Sequence, residues 1–205
     1  MFPYASERIK ADFNIALKAV SIDGRNLEDV SEELKNNKEI VKNAVKKYGF
    51  CVKYASLEMK KDKEIVSIAI ENCGNGDNLK FVDDIFFWDR EIVLKAVKNG
   101  LSLSEIFHFC DDREIVIESI KYDGDNYEFV SDELTMDKEI IYYACNDKYF
   151  DTSLIPYYAV PENVQLLEID DLLIYLKYFI GNKMNYIENI KNDKIKYYDL
   201  SFNYL

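Results

Sequence analysis

The sequence has no long apolar run, few cysteines, a single histidine and fewer bases than acids, and each shortage excludes something. No stretch approaches the roughly 18 uncharged apolar residues of a membrane-spanning helix, so no membrane partner is expected. The opening Met1-Phe2-Pro3-Tyr4-Ala5-Ser6-Glu7-Arg8 lacks the basic start and apolar core of a secretory signal. Cys51, Cys73, Cys110 and Cys145 lie 22, 37 and 35 positions apart, form no C-x-x-C pair and are too sparse for a stapled secreted scaffold. Each sits among apolar neighbours, where a free thiol packs as a small hydrophobe, and a reduced, cytoplasmic protein is expected. Lys and Arg total 26 against 38 Asp and Glu, a net charge of −12. That balance argues against a protein that grips nucleic acid through its phosphates. The 48% of hydrophobic residues argues against disorder, and 205 residues suit one compact domain or a short repeat array.

What the sequence does contain is a unit of about 25 residues. Asn37-Lys38-Glu39-Ile40-Val41, Asp62-Lys63-Glu64-Ile65-Val66, Asp89-Arg90-Glu91-Ile92-Val93, Asp112-Arg113-Glu114-Ile115-Val116 and Asp137-Lys138-Glu139-Ile140-Ile141 are copies of one motif. Asp12-Phe13-Asn14-Ile15-Ala16 is an earlier, weaker copy, and the leading residues are separated by 25, 25, 27, 23 and 25 positions. Asp or Asn is a favourable N-cap, because its side chain accepts a hydrogen bond from a first-turn amide. The following Glu places negative charge at the positive end of the helix dipole. Ile40, Val41, Ala44, Val45 and Tyr48 then form one helical stripe, repeated as Ile65, Val66, Ala69 and Ile70 and as Ile92, Val93, Ala96 and Val97.

Gly24, Gly49, Gly74, Gly100 and Gly124 follow these stripes at intervals of 25, 25, 26 and 24 and read as helix stops. Val30-Ser31-Glu32-Glu33-Leu34, Tyr54-Ala55-Ser56-Leu57-Glu58-Met59 and Val130-Ser131-Asp132-Glu133-Leu134 read as a second, shorter helix in each unit. Tyr4-Ala5-Ser6-Glu7-Arg8-Ile9 matches residues 54–59 at an offset of 50, so the array is expected to begin within a unit. One helix pair of this size cannot hide its apolar face, so neighbours must stack. The expected fold is all-α, an α-solenoid of about six tandem helix-turn-helix units. Lys38, Lys63, Arg90, Arg113 and Lys138 sit where positive charge is locally unfavourable. They read either as a ladder to an acid of the next unit or as solvated side chains.

Beyond about residue 150 the pattern decays. Pro156 and Pro161 bracket a turn or distorted unit, one helix is expected over 169–180 and another over 184–192. Residues 1–150 are therefore expected to form the array and 151–205 a divergent helical cap on the same core.

These motifs resemble DUF4116, a domain of unknown function built from tandem D-[KR]-E-[IV]-V-x-x-A-V-x-x-x-G helices alternating with Y-A-S-x-E-L segments. The resemblance covers about residues 4–146, with departures at 81–110 and in the cap. It implies a helical-repeat fold and brings no catalytic residue, metal or cofactor.

Chemistry is sparse. His108, in Phe107-His108-Phe109-Cys110-Asp111-Asp112, is the only histidine, and on a helix residues two apart do not face each other, so it is not expected to serve Cys110 as a base. Asp83-Asp84, Asp111-Asp112, Asp123-Gly124-Asp125 and Asp170-Asp171 fall at caps and between helices, and none completes an EF-hand. No catalytic or metal-binding residue and no cofactor are expected. The irregular units of 27 and 23 residues adjoin at an aromatic stretch. Phe86, Phe87, Trp88, Phe107, His108 and Phe109 are candidates for contact with a partner protein, or alternatively fill a widened core. The tyrosine-rich tail 197–205 is expected either to dock on the last helices or to pair two chains as a homodimer. The sequence thus points to a non-enzymatic module that binds another protein. The alternative is an acidic inhibitor, carried by a phage or mobile element, of a nucleic-acid-handling defence enzyme such as a CRISPR effector.

Overall fold

The computed structural model describes residues 2–155, apart from 75, 148, 152 and 153. The expected cap, with its helices, prolines and tyrosine-rich tail, lies outside the described residues save for its first few positions. Every regular element among the described residues is helical. The short α1 (Glu7–Lys10) and α3 (Glu32–Lys35) are single turns; the longer helices are α2 (Phe13–Ile22), α4 (Lys38–Lys47), α5 (Lys63–Glu71), α6 (Arg90–Lys98), α7 (Arg113–Tyr122) and α8 (Lys138–Asn146). The chain divides into two compact units, the first ending at Phe109 and the second starting at Cys110. In the first, α2 packs on α4, α4 on α5 and α5 on α6; in the second, α7 packs on α8.

The leading residue of every repeat caps its helix. Asp12, Asn37, Asp62, Asp89, Asp112 and Asp137 each accept from a first-turn amide through the side chain, an arrangement that contributes about 1 kcal/mol per helix. Three residues on, Ile40, Ile65, Ile92, Ile115 and Ile140 are completely buried, and the small Ala44, Ala69, Ala96 and Ala144 at the seventh position are equally sealed. Tyr48 is the exception in its stripe, 44% exposed beyond the last turn of α4.

Lys38, Lys63 and Arg113, beside their caps, form rungs of the ladder. Lys38 Nζ lies 2.7 Å from Asp62 Oδ2 and 2.8 Å from Glu64 Oε2, and Lys63 Nζ lies 2.8 Å from Asp89 and 3.0 Å from Glu91. In the second unit Arg113 bonds Asp137 at 2.7 Å and Glu139 at 2.6 Å. Each cation therefore meets both acids of the following helix N-terminus, which offsets its poor placement at its own. The first copy carries Phe13 in place of the cation, and the cap that follows is the neutral Asn37.

The ladder lowers the affinity of its carboxylates for protons. Lys38 and Lys42 bring Glu64 down to about 2, and Arg113 holds Asp137 below the ordinary range. At Asp62 and Asp89 partial burial acts upward, but Lys38 or Lys63 together with first-turn amides outweigh it. A folded pKa below the unfolded one stabilises above the unfolded value and stops doing so as pH falls through the folded value. Thermal midpoints should therefore be flat near neutrality and fall by several degrees between about pH 4.5 and 2, with a shallower fall in Lys63→Met. Equal slopes in the two proteins would remove the ladder as a contributor.

Between the long helices the expected second helix forms at 30–34 as the single turn α3, capped by Ser31, and shrinks to non-α turns at 54–59 and 130–134. 3-10 segments cover Gly24–Glu28, Gly49–Tyr54, Gly76–Phe81 and Gly124–Phe129, and only α3 adds a full α turn. The reason is an extended break, seen at Ala55 (ψ 159°) and Val130 (ψ 139°), after which the next amide bonds outward to the preceding repeat. Ser31 N donates to Lys10 O, Ser56 N to Lys35 O, Asp83 N to Lys60 O and Ser131 N to Cys110 O, at 3.0–3.2 Å. An amide spent on the neighbouring repeat cannot continue a helix.

Gly100 acts as the helix stop expected of it, directly after the C-cap of α6, but other glycines act differently. Among the described residues only Gly100 has a positive φ, at 94°. Gly24 and Gly49 instead press their Cα atoms onto the next helix: an added Cβ would lie 2.4 Å from Ala44 O and 2.0 Å from Ala69 O. Gly76 meets the backbone of Leu101 in the same way, whereas Gly74 has nothing within 4 Å. The repeat frame thus runs through Gly76. The 27-residue unit holds its two extra residues after α5, and the 23-residue unit loses two between 101 and 112.

A feature absent from the sequence reading accompanies these glycines. Gly24-Arg25-Asn26, Gly76-Asp77-Asn78 and Gly124-Asp125-Asn126 share a G-x-N pattern. Asn26 Nδ2 donates to Ala19 O at 2.9 Å, Asn78 Nδ2 to Ala69 O at 2.9 Å and Asn126 Nδ2 to Ser119 O at 3.1 Å. Each amide ties the turn to the end of its own repeat's helix. In the intervening repeats the place belongs to the fully buried Cys51 and Leu103, so the pattern alternates.

Candidate functional site

The irregular aromatic stretch is built on three 3-10 turns of the first unit, Asp84–Trp88, Leu103–Glu105 and Phe107–Phe109. Asp83 starts the first turn by accepting from Ile85 N at 3.2 Å. In a 3-10 turn side chains three apart eclipse, so Ile85 and Trp88 share one side. They are 66% and 69% exposed, while Phe86 points the other way and is buried. Phe107 is 71% exposed; Phe87, His108 and Phe109 are half-buried.

His108 holds this corner together. In the regular repeats the carbonyl two residues before each cap accepts the outward-bonding amide described above. Phe87 O is that carbonyl here, but the shortened repeat places Ile106 N on Leu103 O instead. The imidazole takes over, with His108 Nε2 2.7 Å from Phe87 O. A carbonyl only accepts, so Nε2 carries the hydrogen. The ring also stacks on Trp88, with centroids 4.0 Å apart and an interplanar angle of 25°, and meets the edge of Phe107 at 5.8 Å.

The six candidate residues therefore separate. Phe86 belongs to the core, His108 is a structural clamp flanked by half-buried Phe87 and Phe109, and Trp88 and Phe107 form the exposed surface. The sequence reading missed Ile85, although its spacing of three from Trp88 within a 3-10 turn is the signal for it. Leu57, 76% exposed, occupies the place in its own repeat that Phe107 takes in the shortened one.

Several of the other groups capable of chemistry are committed or sealed. Burial pushes the Cys51 thiol up to about 12, which leaves it protonated and unreactive at neutral pH. Asp83, Asp112 and Asp123 accept from amides at the starts of their turns and helices. Among the described residues, no three His, Cys, Asp or Glu side chains converge as a metal site requires. No described helix is long and apolar enough to cross a membrane.

Residues 1–35, 37–75, 62–108 and 112–158 match the family described as a domain of unknown function, DUF4116. The chain belongs to the DUF4116 family. Three of the four matched stretches contain two long helices each, and α5 is shared by two of them. In this DUF4116 chain α5 is thus the second helix of one match and the first of the next, so the matches follow the single repeat and not a fixed pair. No curated protein and no solved structure matches it.

Proposed function

We propose that this DUF4116 chain is a non-enzymatic protein-interaction module: a cytoplasmic α-solenoid of about six repeats, with 151–205 as a divergent cap, that docks another protein on the aromatic corner of its irregular repeats. The observation that carries the proposal is the exposure of Trp88 and Phe107, both packed on the His108 imidazole, with Ile85 exposed on the same turn as Trp88. Packing does not require an aromatic at position 88, because Asn36 and Lys61 occupy the same place in neighbouring repeats. Large apolar side chains held in water by a rigid turn are typical anchors of an interface.

The test is Trp88→Ala/Phe107→Ala, compared with the parent for stability and for proteins retained from a native host extract. Both side chains are mostly solvated, so unfolding free energy should change by less than about 1 kcal/mol. Retention of the specific partner should fall at least about tenfold, as loss of two anchors implies. Undiminished retention by the folded variant would end this assignment of the surface.

The net charge of −12 supports the second reading, an inhibitor from a phage or mobile element that fills the basic channel of a defence enzyme such as a CRISPR effector. Against it, Asp62, Glu64, Asp89, Glu91, Asp137 and Glu139 each sit beside a ladder cation rather than forming a bare acidic ridge.

A further inference from the structure

The first unit carries a second feature continuous with the aromatic corner. The bonds Ser31 N to Lys10 O, Ser56 N to Lys35 O and Asp83 N to Lys60 O hold equivalent positions of successive repeats side by side. The two residues after each of those amides form a row: Glu32 and Glu33, Leu57 and Glu58, Asp84 and Ile85. Phe107 and His108 occupy the same places, counted back from Asp112, in the shortened repeat. Glu33, Glu58 and Asp84 are exposed and form no ion pair among the described residues, unlike Glu32, which holds Lys35 at 2.7 Å. Arg8 in the first repeat is the one cation at these positions, and nearby Lys61 leans on Asp83 at 3.7 Å. The row thus passes from carboxylates to the apolar group of Ile85, Trp88 and Phe107.

We infer that this row binds a segment of a partner protein that carries an apolar face flanked by arginine or lysine. The inference rests on the docking surface proposed above and names what it takes. Closing a neutral or acidic surface over Glu33, Glu58 and Asp84 strips water from three carboxylates and returns nothing. A basic segment returns an ion pair at each, and the open face of Trp88 accepts a guanidinium through its π cloud. A second copy of this chain is the wrong occupant, because both partners would bring a charge of −12.

Trp88 is the only tryptophan, so its emission reports occupancy of the row directly. Three helical peptides with the same leucine face, and arginine, glutamine or glutamate on the other, are titrated against the whole chain. The arginine peptide should shift Trp88 emission to the blue and bind about tenfold more tightly than the glutamine peptide at low salt, from three exposed ion pairs. That advantage should vanish in about 1 M salt. Glu33→Gln/Glu58→Gln/Asp84→Asn should reduce the arginine peptide to the affinity of the glutamine peptide. Glu28→Gln/Glu39→Gln, which removes exposed acids at other positions of the repeat, should leave the preference in place. Equal binding of the arginine and glutamine peptides, or an equal loss in the two variants, overturns the basic partner while leaving an apolar docking surface. No emission change with any peptide overturns the docking surface itself. A concentration-dependent blue shift without peptide assigns the row to a second copy and overturns the inference as well.

Discussion

Gly49→Ala is expected to cost the first unit about 3 kcal/mol, while Gly74→Ala should be neutral or stabilise by a few tenths. Both glycines follow a long helix and look equivalent in the sequence. The difference lies in what faces them. A Cβ on Gly49 would stand 2.0 Å from Ala69 O and 2.9 Å from the carbonyl carbon of Asn72. These are backbone atoms at the end of α5, and no rotamer change can move them. Gly49 N also donates to Asn72 O at 3.1 Å, so relief of the clash would stretch the hydrogen bond that joins the two repeats. The cost must then appear as separation of α4 from α5, whose facing Ile40, Val41, Ile65 and Val66 are completely buried. At Gly74 the new methyl meets nothing, and a small gain comes from the less flexible unfolded chain. Urea unfolding of the two variants beside the parent measures both. A Gly49→Ala deficit below about 1 kcal/mol would mean that the repeats are not in this close contact.

That pair of glycines marks the boundary of what could be read from the sequence. Features set by chemistry within one turn were legible: the six caps, the isoleucines and valines behind them, and the DUF4116 motif they compose. The ladder was half-legible, since a cation at a helix N-terminus signals an outside partner without saying which. Features set by contact between repeats were not. Gly74 lies closer to the mean spacing, yet Gly76 makes the contact, because the two extra residues precede it. The Y-A-S and V-S segments have helical composition, but Ser31, Ser56 and Ser131 give their amides to the preceding repeat, so a helix has to start afresh after such a serine, and it does so only as the single turns α1 and α3. The aromatic stretch was left open between core and surface, and its side chains divide between the two. A 3-10 turn, unlike the helix assumed, sends Phe86 inward and leaves Ile85 and Trp88 outside. His108 acquires its role only because a deletion moved an amide elsewhere, which no motif records.

The buried asparagines offer the sharpest test of how each turn is fastened. Asn126 is 4% exposed, and its Nδ2 donates to Ser119 O and Asp123 O, both at 3.1 Å. Asn126→Leu should be mild, within about 1.5 kcal/mol, because Ser119 O keeps its helical bond from Asp123 N and Leu103 already fills the equivalent place in another repeat. Asn126→Asp preserves the shape and should cost about 3 kcal/mol or more at pH 7, since a carboxylate would face two carbonyl oxygens away from water. Such burial raises the folded pKa of the new aspartate above its unfolded value near 3.9. The sign is then opposite to that of the ladder: the penalty is absent below the unfolded pKa, where the protonated acid donates much as the amide did, and grows as pH rises toward the folded one. Subtracting the parent's stability from the variant's at each pH removes the ladder's own acid sensitivity from the comparison. Asn26→Asp, at a half-buried position, should show the same trend with a smaller amplitude. A deficit in Asn126→Asp that is equal at pH 7 and pH 4 would mean that the side chain is hydrated, and the G-x-N turn would then be held by its glycine alone.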